Sequence, residues 1–214
     1  MIPTYRRARA IPWSPNFTER LHSGEVPDYL LDTKEDIAAI IASIKANSTH
    51  FPVSSTTEYL SMVQSYKCML SHFPHLKTVF YPCSWADITP SKGFEWCRVV
   101  YCDTNQNAID RLTEAWYEWY CEDAYDLEVE NPDLILFLNA HISPDKFSPR
   151  LWTGGLIVSN GYTQGMRCLF GAQDLEYLGY IDLAAEKVCL NHWHTPLKNS
   201  MANDDNIFYI FRKR

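Results

Sequence analysis

The chain has 214 residues, a formal charge of −7 and a sequence pI near 5.5. An acidic balance gives no broad electrostatic grip on nucleic acid, so no nucleic-acid partner is expected, and the basic clusters Arg6, Arg7, Arg9 and Arg212-Lys213-Arg214 read as solvated tails. No apolar run is long enough to span a membrane, residues 1–17 carry charge without an apolar segment, and seven cysteines at irregular spacing suit reduced thiols, so a cytoplasmic protein is expected.

Residues 1–31, with prolines at 3, 12, 15 and 27 and no clean period, read as an extended arm. A helix is expected from Asp32 or Thr33, with Asp36 favourable in its first turn and Ile37, Ile40, Ile41 and Ile44 on one face. Phe51-Pro52 breaks it. A second helix opens near Thr56 or Thr57, carries Tyr59, Met62, Val63, Tyr66, Leu70 and Phe73 at helical spacing, and stops at Pro74. These stripes read as core packing. The expected organisation is an arm with a two-helix extension over residues 1–74 and a main domain over 75–214.

Residues 78–81 and 99–101 are β-branched and aromatic runs too short for helices, and read as strands. The loop after the first is Pro82-Cys83-Ser84-Trp85-Ala86-Asp87, with no glycine. Residues 105–116 read as a helix with Ile109, Leu112 and Trp116 inward. The aromatic residues cluster around 115–125, which places some rings on a surface or pocket wall, and 119–127 has room for a short strand before Glu122-Asp123-Ala124. The apolar run 133–139 is typical of a strand buried on both faces. Ser143-Pro144-Asp145 opens a short helix, and Gly154-Gly155 leads into a buried strand at 156–159. Residues 178–182 and 207–211 are two more strands, joined by a long loop with room for one helical turn. Strands alternating with helices over 77–160 predict a mostly parallel sheet, and the late strands a terminal antiparallel pair. The fold class is α/β: a Rossmann-like three-layer sandwich with about seven strands.

A strand, a tight loop and a second strand ending in an acid form the opening unit of a nucleotide-binding α/β domain. In such a unit the loop faces the charged part of the ligand and the acid, here Asp103, accepts hydrogen bonds from a ribose diol. Asn139 and His141 stand at the carboxyl end of the central strand, where open α/β sheets bind ligands. Asp87 reads as a cap of the following segment or as a substitute for the first strand's usual acid. Cys83 reads as a buried thiol, since no Cys–His–Asn/Asp set can be placed around it. Cys189, His192 and His194 form C-x-x-H-x-H without a visible fourth ligand, and the spacing matches no common structural zinc pattern, so no metal site is assigned.

Taken in order, these pieces resemble the class I S-adenosylmethionine-dependent methyltransferase superfamily over residues 75–214. Residues 79–87 stand where that family has its first strand and glycine-rich loop, and 99–103 resemble the second strand with its ribose-binding acid. Asp123-Ala124-Tyr125-Asp126-Leu127 resembles the D-A-x-D-L segment whose Asp meets the adenine amine. Residues 133–139 resemble the fourth strand, 155–160 the fifth and 207–213 the last, antiparallel strand. The resemblance implies S-adenosylmethionine as cofactor and a small molecule or protein side chain as methyl acceptor. It implies cofactor contacts from Tyr81, Pro82, Cys83, Ser84 and Asp87, from Asp103 and Thr104, from Asp123 and Ala124, and from Asn139. Asn139 and His141 would face the acceptor as the catalytic pair, and the N-terminal helices would cover the cleft. The glycine-free loop supports a second reading, a member of this fold that binds or scaffolds without catalysis. A nicotinamide-using Rossmann enzyme is opposed by the absence of G-x-G-x-x-G.

Overall fold

A computed structural model of the chain describes residues 56–84, 87–105, 118–138, 140, 142–160, 163–192 and 206–214. The helix expected from Asp32 or Thr33 and nearly all of that expected over 105–116 lie outside these residues. Helix α1 (Thr56–His72) follows its apolar spacing, burying Tyr59, Met62, Tyr66 and Met69, and Pro74 lies two residues past its end. Strands β1 (Thr78–Pro82) and β2 (Arg98–Cys102) bracket α2 (Thr89–Gly93), a five-residue helix with proline in its first turn. Then come β3 (Glu118–Tyr120), β4 (Leu134–Phe137), β5 (Leu156–Asn160), α3 (Thr163–Gly171), β6 (Leu175–Asp182), β7 (Lys187–Leu190) and β8 (Ile207–Lys213).

The eight strands form one sheet in the order β3-β2-β1-β4-β5-β8-β6-β7. β1 to β5 pair in parallel, with Val79 opposite Val99 and Ile135 opposite Ile157. β8 runs antiparallel between β5 and β6, and β7 runs antiparallel to β6. Side chains alternate between two cores, as the pleat requires. Val79, Tyr81, Val99, Tyr101, Leu134, Leu136, Phe208 and Ile210 join the α1 residues on one face, with Ile88 and Phe94 from either side of α2. Phe80, Val100, Ile135, Phe137, Ile157, Tyr209 and Phe211 pack with Met166 and Leu169 of α3 on the other. The three-layer, mostly parallel Rossmann-like sandwich expected from the sequence is the observed architecture.

The differences are local. β7 was expected to be loop, and it makes eight strands rather than about seven. Its sequence, KVCL, lies at the sheet edge with no residue fully buried, so it lacks the continuous apolar run that marks an interior strand. α3 was not expected, because Gly165 and Gly171 weaken its helical signature. The short helix expected at Ser143 is present as the 3-10 helix Pro144–Lys146, with Ser143 at its N-cap, and a second 3-10 helix, Ser148–Arg150, follows it. Among the described residues no helix is long and apolar enough to cross a membrane. Because β1 to β4 run parallel, their carboxyl ends open on one side. Strand order reverses at β1, between β2 and β4, which makes that side the topological switch point where ligands bind in such sheets.

Candidate functional site

The first loop turns inward immediately after β1. Cys83 adopts a left-handed backbone, with φ +54°, a conformation glycine enters far more readily. The Ser84 N–H donates to the Cys102 carbonyl at 3.1 Å, tying the loop to the end of β2, and the Asp87 N–H donates to the Ser84 carbonyl at 3.1 Å. The Asp87 side chain is fully buried. Its Oδ1 accepts from the Thr89 N–H at 2.9 Å and the Thr89 hydroxyl at 2.6 Å, and its Oδ2 from the Tyr81 hydroxyl at 3.0 Å. Burial raises the Asp87 carboxyl to about 6 against these three hydrogen bonds, which favour the charged form. Burial, then the Asp87 charge, holds the Tyr81 phenol well above its ordinary range. Tyr81 and Asp87 therefore face the core beneath the loop, and the loop's shape depends on them.

The carboxyl ends of β1, β2 and β3 lie side by side, with Pro82 opposite Cys102 and Cys102 opposite Tyr120. The Asp103 N–H donates to the Tyr120 carbonyl at 3.1 Å, and Asp103 Oδ1 accepts from the Asn105 N–H at 2.8 Å, which fixes the carboxylate at the end of β2. Asp123 is fixed in the same way, its Oδ1 accepting from the Tyr125 N–H at 2.9 Å. The Cys83 thiol, pushed up to about 12, responds to burial first and then to the negative charges of Asp103 and Asp123. The Cys102 thiol also rises to about 12, through burial first and then Cys83 and Asp103. Both stay protonated at neutral pH and are poor nucleophiles.

Of the residues singled out in the sequence, Cys83, Asp103 and Asp123 lie on adjoining segments, since the Ser84 N–H donates to the Cys102 carbonyl and the Cys102 thiol to the Glu122 carbonyl at 3.2 Å. Pro82 and Ser84 are buried beside them, Thr104 is exposed, and Ala124 is buried in the turn after Asp123. Asn139 and His141 lie outside the described residues, as do Trp85 and Ala86. Cys189 and His192 are described without His194, and among the described residues no group of three or more His, Cys, Asp or Glu can hold a metal ion.

Two features escaped sequence reasoning. The first is α2 itself: Asp87, expected as a cap of the following segment, does bond the Thr89 N–H and hydroxyl, and with Thr89-Pro90 behind it that acid marks the helix start. Arg150 carries no such local signal. Its Nη1 donates to the carbonyls of Ala124 at 2.9 Å and Leu127 at 2.8 Å, and its Nη2 to that of Tyr125 at 2.7 Å.

No protein-family model matches the chain, and no curated protein matches it in sequence. Solved structures match its shape. The N-methyltransferase NodS from Bradyrhizobium japonicum WM9, in complex with S-adenosyl-L-homocysteine, superposes with a TM-score of 0.53 at 15% identity, covering 81% of this chain and 98% of that one. The plantazolicin methyltransferase BpumL, in complex with a monoazolic desmethylPZN analog and S-adenosylhomocysteine, gives 0.52 at 12% identity, covering 92% and 99%. TrmN from Thermus thermophilus gives 0.50 at 13% identity, covering 83% of this chain and 53% of that one. At such identities the likeness is one of architecture, and it agrees with the strand order and the antiparallel β8 described above. The chain has the fold of the class I S-adenosylmethionine-dependent methyltransferases.

Proposed function

We propose that the chain is an S-adenosylmethionine-dependent methyltransferase acting on a small molecule or a protein side chain. The observation that carries this reading is the pair of fixed carboxylates, Asp103 and Asp123, at the ends of neighbouring strands beside the loop after β1, at the switch point of a sheet of this fold. An ionised carboxylate only accepts hydrogen bonds. A ribose diol offers two O–H donors and an adenine amine two N–H donors, so Asp103 suits the first and Asp123 the second. When bound, the cofactor supplies a methyl group on a sulfonium, a good leaving group, and the protein's task is largely alignment. Asn139 and His141 are the proposed acceptor-facing pair, and residues 81–84 with Asp87 shape the loop beside the methionine part. The bound S-adenosylhomocysteine in NodS and BpumL supports the same ligand here.

One observation favours a second reading, a protein of this fold that binds without transferring. The N–H groups of Ser84 and Asp87 are both engaged within the chain, so neither is available to a ligand carboxylate in this loop conformation.

Calorimetric titration with S-adenosylmethionine and S-adenosylhomocysteine tests the ligand. Micromolar binding is expected, weakened about tenfold to a hundredfold in Asp103→Ala, the worth of a hydrogen bond to a charged acceptor. No heat at millimolar ligand, with an unchanged melting temperature, would overturn the cofactor assignment.

A further inference from the structure

Between β4 and β5 the chain makes the turns Pro144–Lys146 and Ser148–Arg150, and Arg150 reaches from their end to the segment after β3. The carbonyls of Ala124, Tyr125 and Leu127 all point at its guanidinium, and the cation sits 4.5 Å from the centre of the Phe147 ring. The Tyr125 ring lies 5.2 Å from the same Phe147 ring, and the Tyr125 hydroxyl accepts from the Ser143 N–H at 2.9 Å. Three carbonyls meet on one cation only when the turn is closed, and the turn in question is the one Asp123 begins. The Asp126 and Leu127 N–H groups donate to the Asp123 carbonyl at 2.9 and 3.1 Å.

We infer that Arg150 is a positioning residue for base recognition, locking the 124–127 turn so that the Asp123 carboxylate stands ready for the exocyclic amine of an adenine ring. The inference rests on the cofactor reading above. Its physical basis is the planar guanidinium, whose five donors in a fixed fork span three acceptors, while a lysine ammonium is a single point of contact. Ordering the turn before the ligand arrives removes an entropy loss that would otherwise be subtracted from binding.

The test compares S-adenosylhomocysteine with S-inosylhomocysteine, which has a carbonyl in place of the amine, by calorimetry on the wild-type protein and on Arg150→Lys. The wild type is expected to prefer the adenine ligand by about tenfold to a hundredfold. In Arg150→Lys that preference is expected to fall to about threefold or less, while discrimination against a 2′-deoxyribose analogue, which Asp103 sets, is retained. An amine preference unchanged in Arg150→Lys overturns the inference and leaves the cofactor reading standing. Failure of the wild type to bind either ligand removes the cofactor reading and the inference with it. Hydrogen exchange on the wild-type protein tests pre-ordering without any variant: the Asp126 and Leu127 amides should be protected before ligand is added, and a gain of about tenfold or more on adding S-adenosylhomocysteine would overturn it.

Discussion

Asp87 shows how a single buried acid links the first loop to stability. Its folded-state value near 6 lies above its ordinary value of 3.8, so the folded chain holds this proton more tightly than the unfolded one. Stability from this group is therefore fully present below about pH 4 and declines as pH rises towards 6, with a total loss of about 3 kcal/mol. Asp87→Asn keeps an oxygen for the Thr89 donors and cannot ionise. Its stability relative to wild type, from urea unfolding at pH 4, 6 and 8, should improve by about 2–3 kcal/mol across that range. A difference that is flat with pH would show that the carboxyl has the same pKa in the folded and unfolded chains. Cys83 makes the complementary point, since it combines a left-handed backbone with a thiol that burial, and then the charges of Asp103 and Asp123, keep protonated. That side chain defines the local surface by occupying space rather than by reacting.

At the scale of elements, Gly179 sets how β6 meets its neighbours. It pairs with Leu190 of β7 and Ile210 of β8, next to a register shift between Tyr177 and Gly179, and its φ is +148°. A Cβ placed there would stand 2.1 Å from the Cys189 carbonyl oxygen, a backbone atom with little freedom to move. Gly179→Ala is expected to cost about 2–4 kcal/mol, read from the urea midpoint at constant slope. An unchanged midpoint would mean that the β6–β7 hairpin adjusts without loss. The sequence places the start of this strand at 178 rather than Leu175, because Glu176 interrupts its apolar run. β1, β2, β4, β5 and β8 were legible because each is an apolar run covered on both faces. β7 is half-exposed and short, and α3 carries two glycines, so neither announces itself. The candidate site was legible to the same extent, in its strand-end acids. Asp103 ends a strand that could be read and Asp123 stands out through its D-A-x-D-L segment, whereas Arg150 recognises backbone carbonyls that leave no trace in a sequence.

Across the whole molecule, an amphipathic stripe states that a helix is covered but not by what. α1 is covered by the sheet, with Tyr59, Met62, Tyr66 and Met69 in the same core as Val79, Tyr81 and Ile210. Gly93 of α2 has no room for a Cβ, which would lie 2.4 Å from the Tyr66 Cβ, so α1 also holds the segment that follows the first loop. A chain shortened to residues 75–214 would bare that apolar face. It is expected to lose a cooperative unfolding transition and to bind hydrophobic dyes, and a sharp melt with no dye binding would show that the sheet stands without α1. The placement of β8 has a consequence for how the protein is made. β8 is translated after β6 and β7, yet its seat is between β5 and β6, so the hairpin cannot join the sheet until its central neighbour exists. From the completion of β5 at Asn160 to that of β8 at Lys213 the ribosome adds about fifty residues, on the order of several seconds of synthesis. Throughout that interval the nascent sheet carries an unpaired β5 edge, a template for any other strand it meets. β8 is the keystone, and the delay before it arrives is when the newborn chain is open to mispairing.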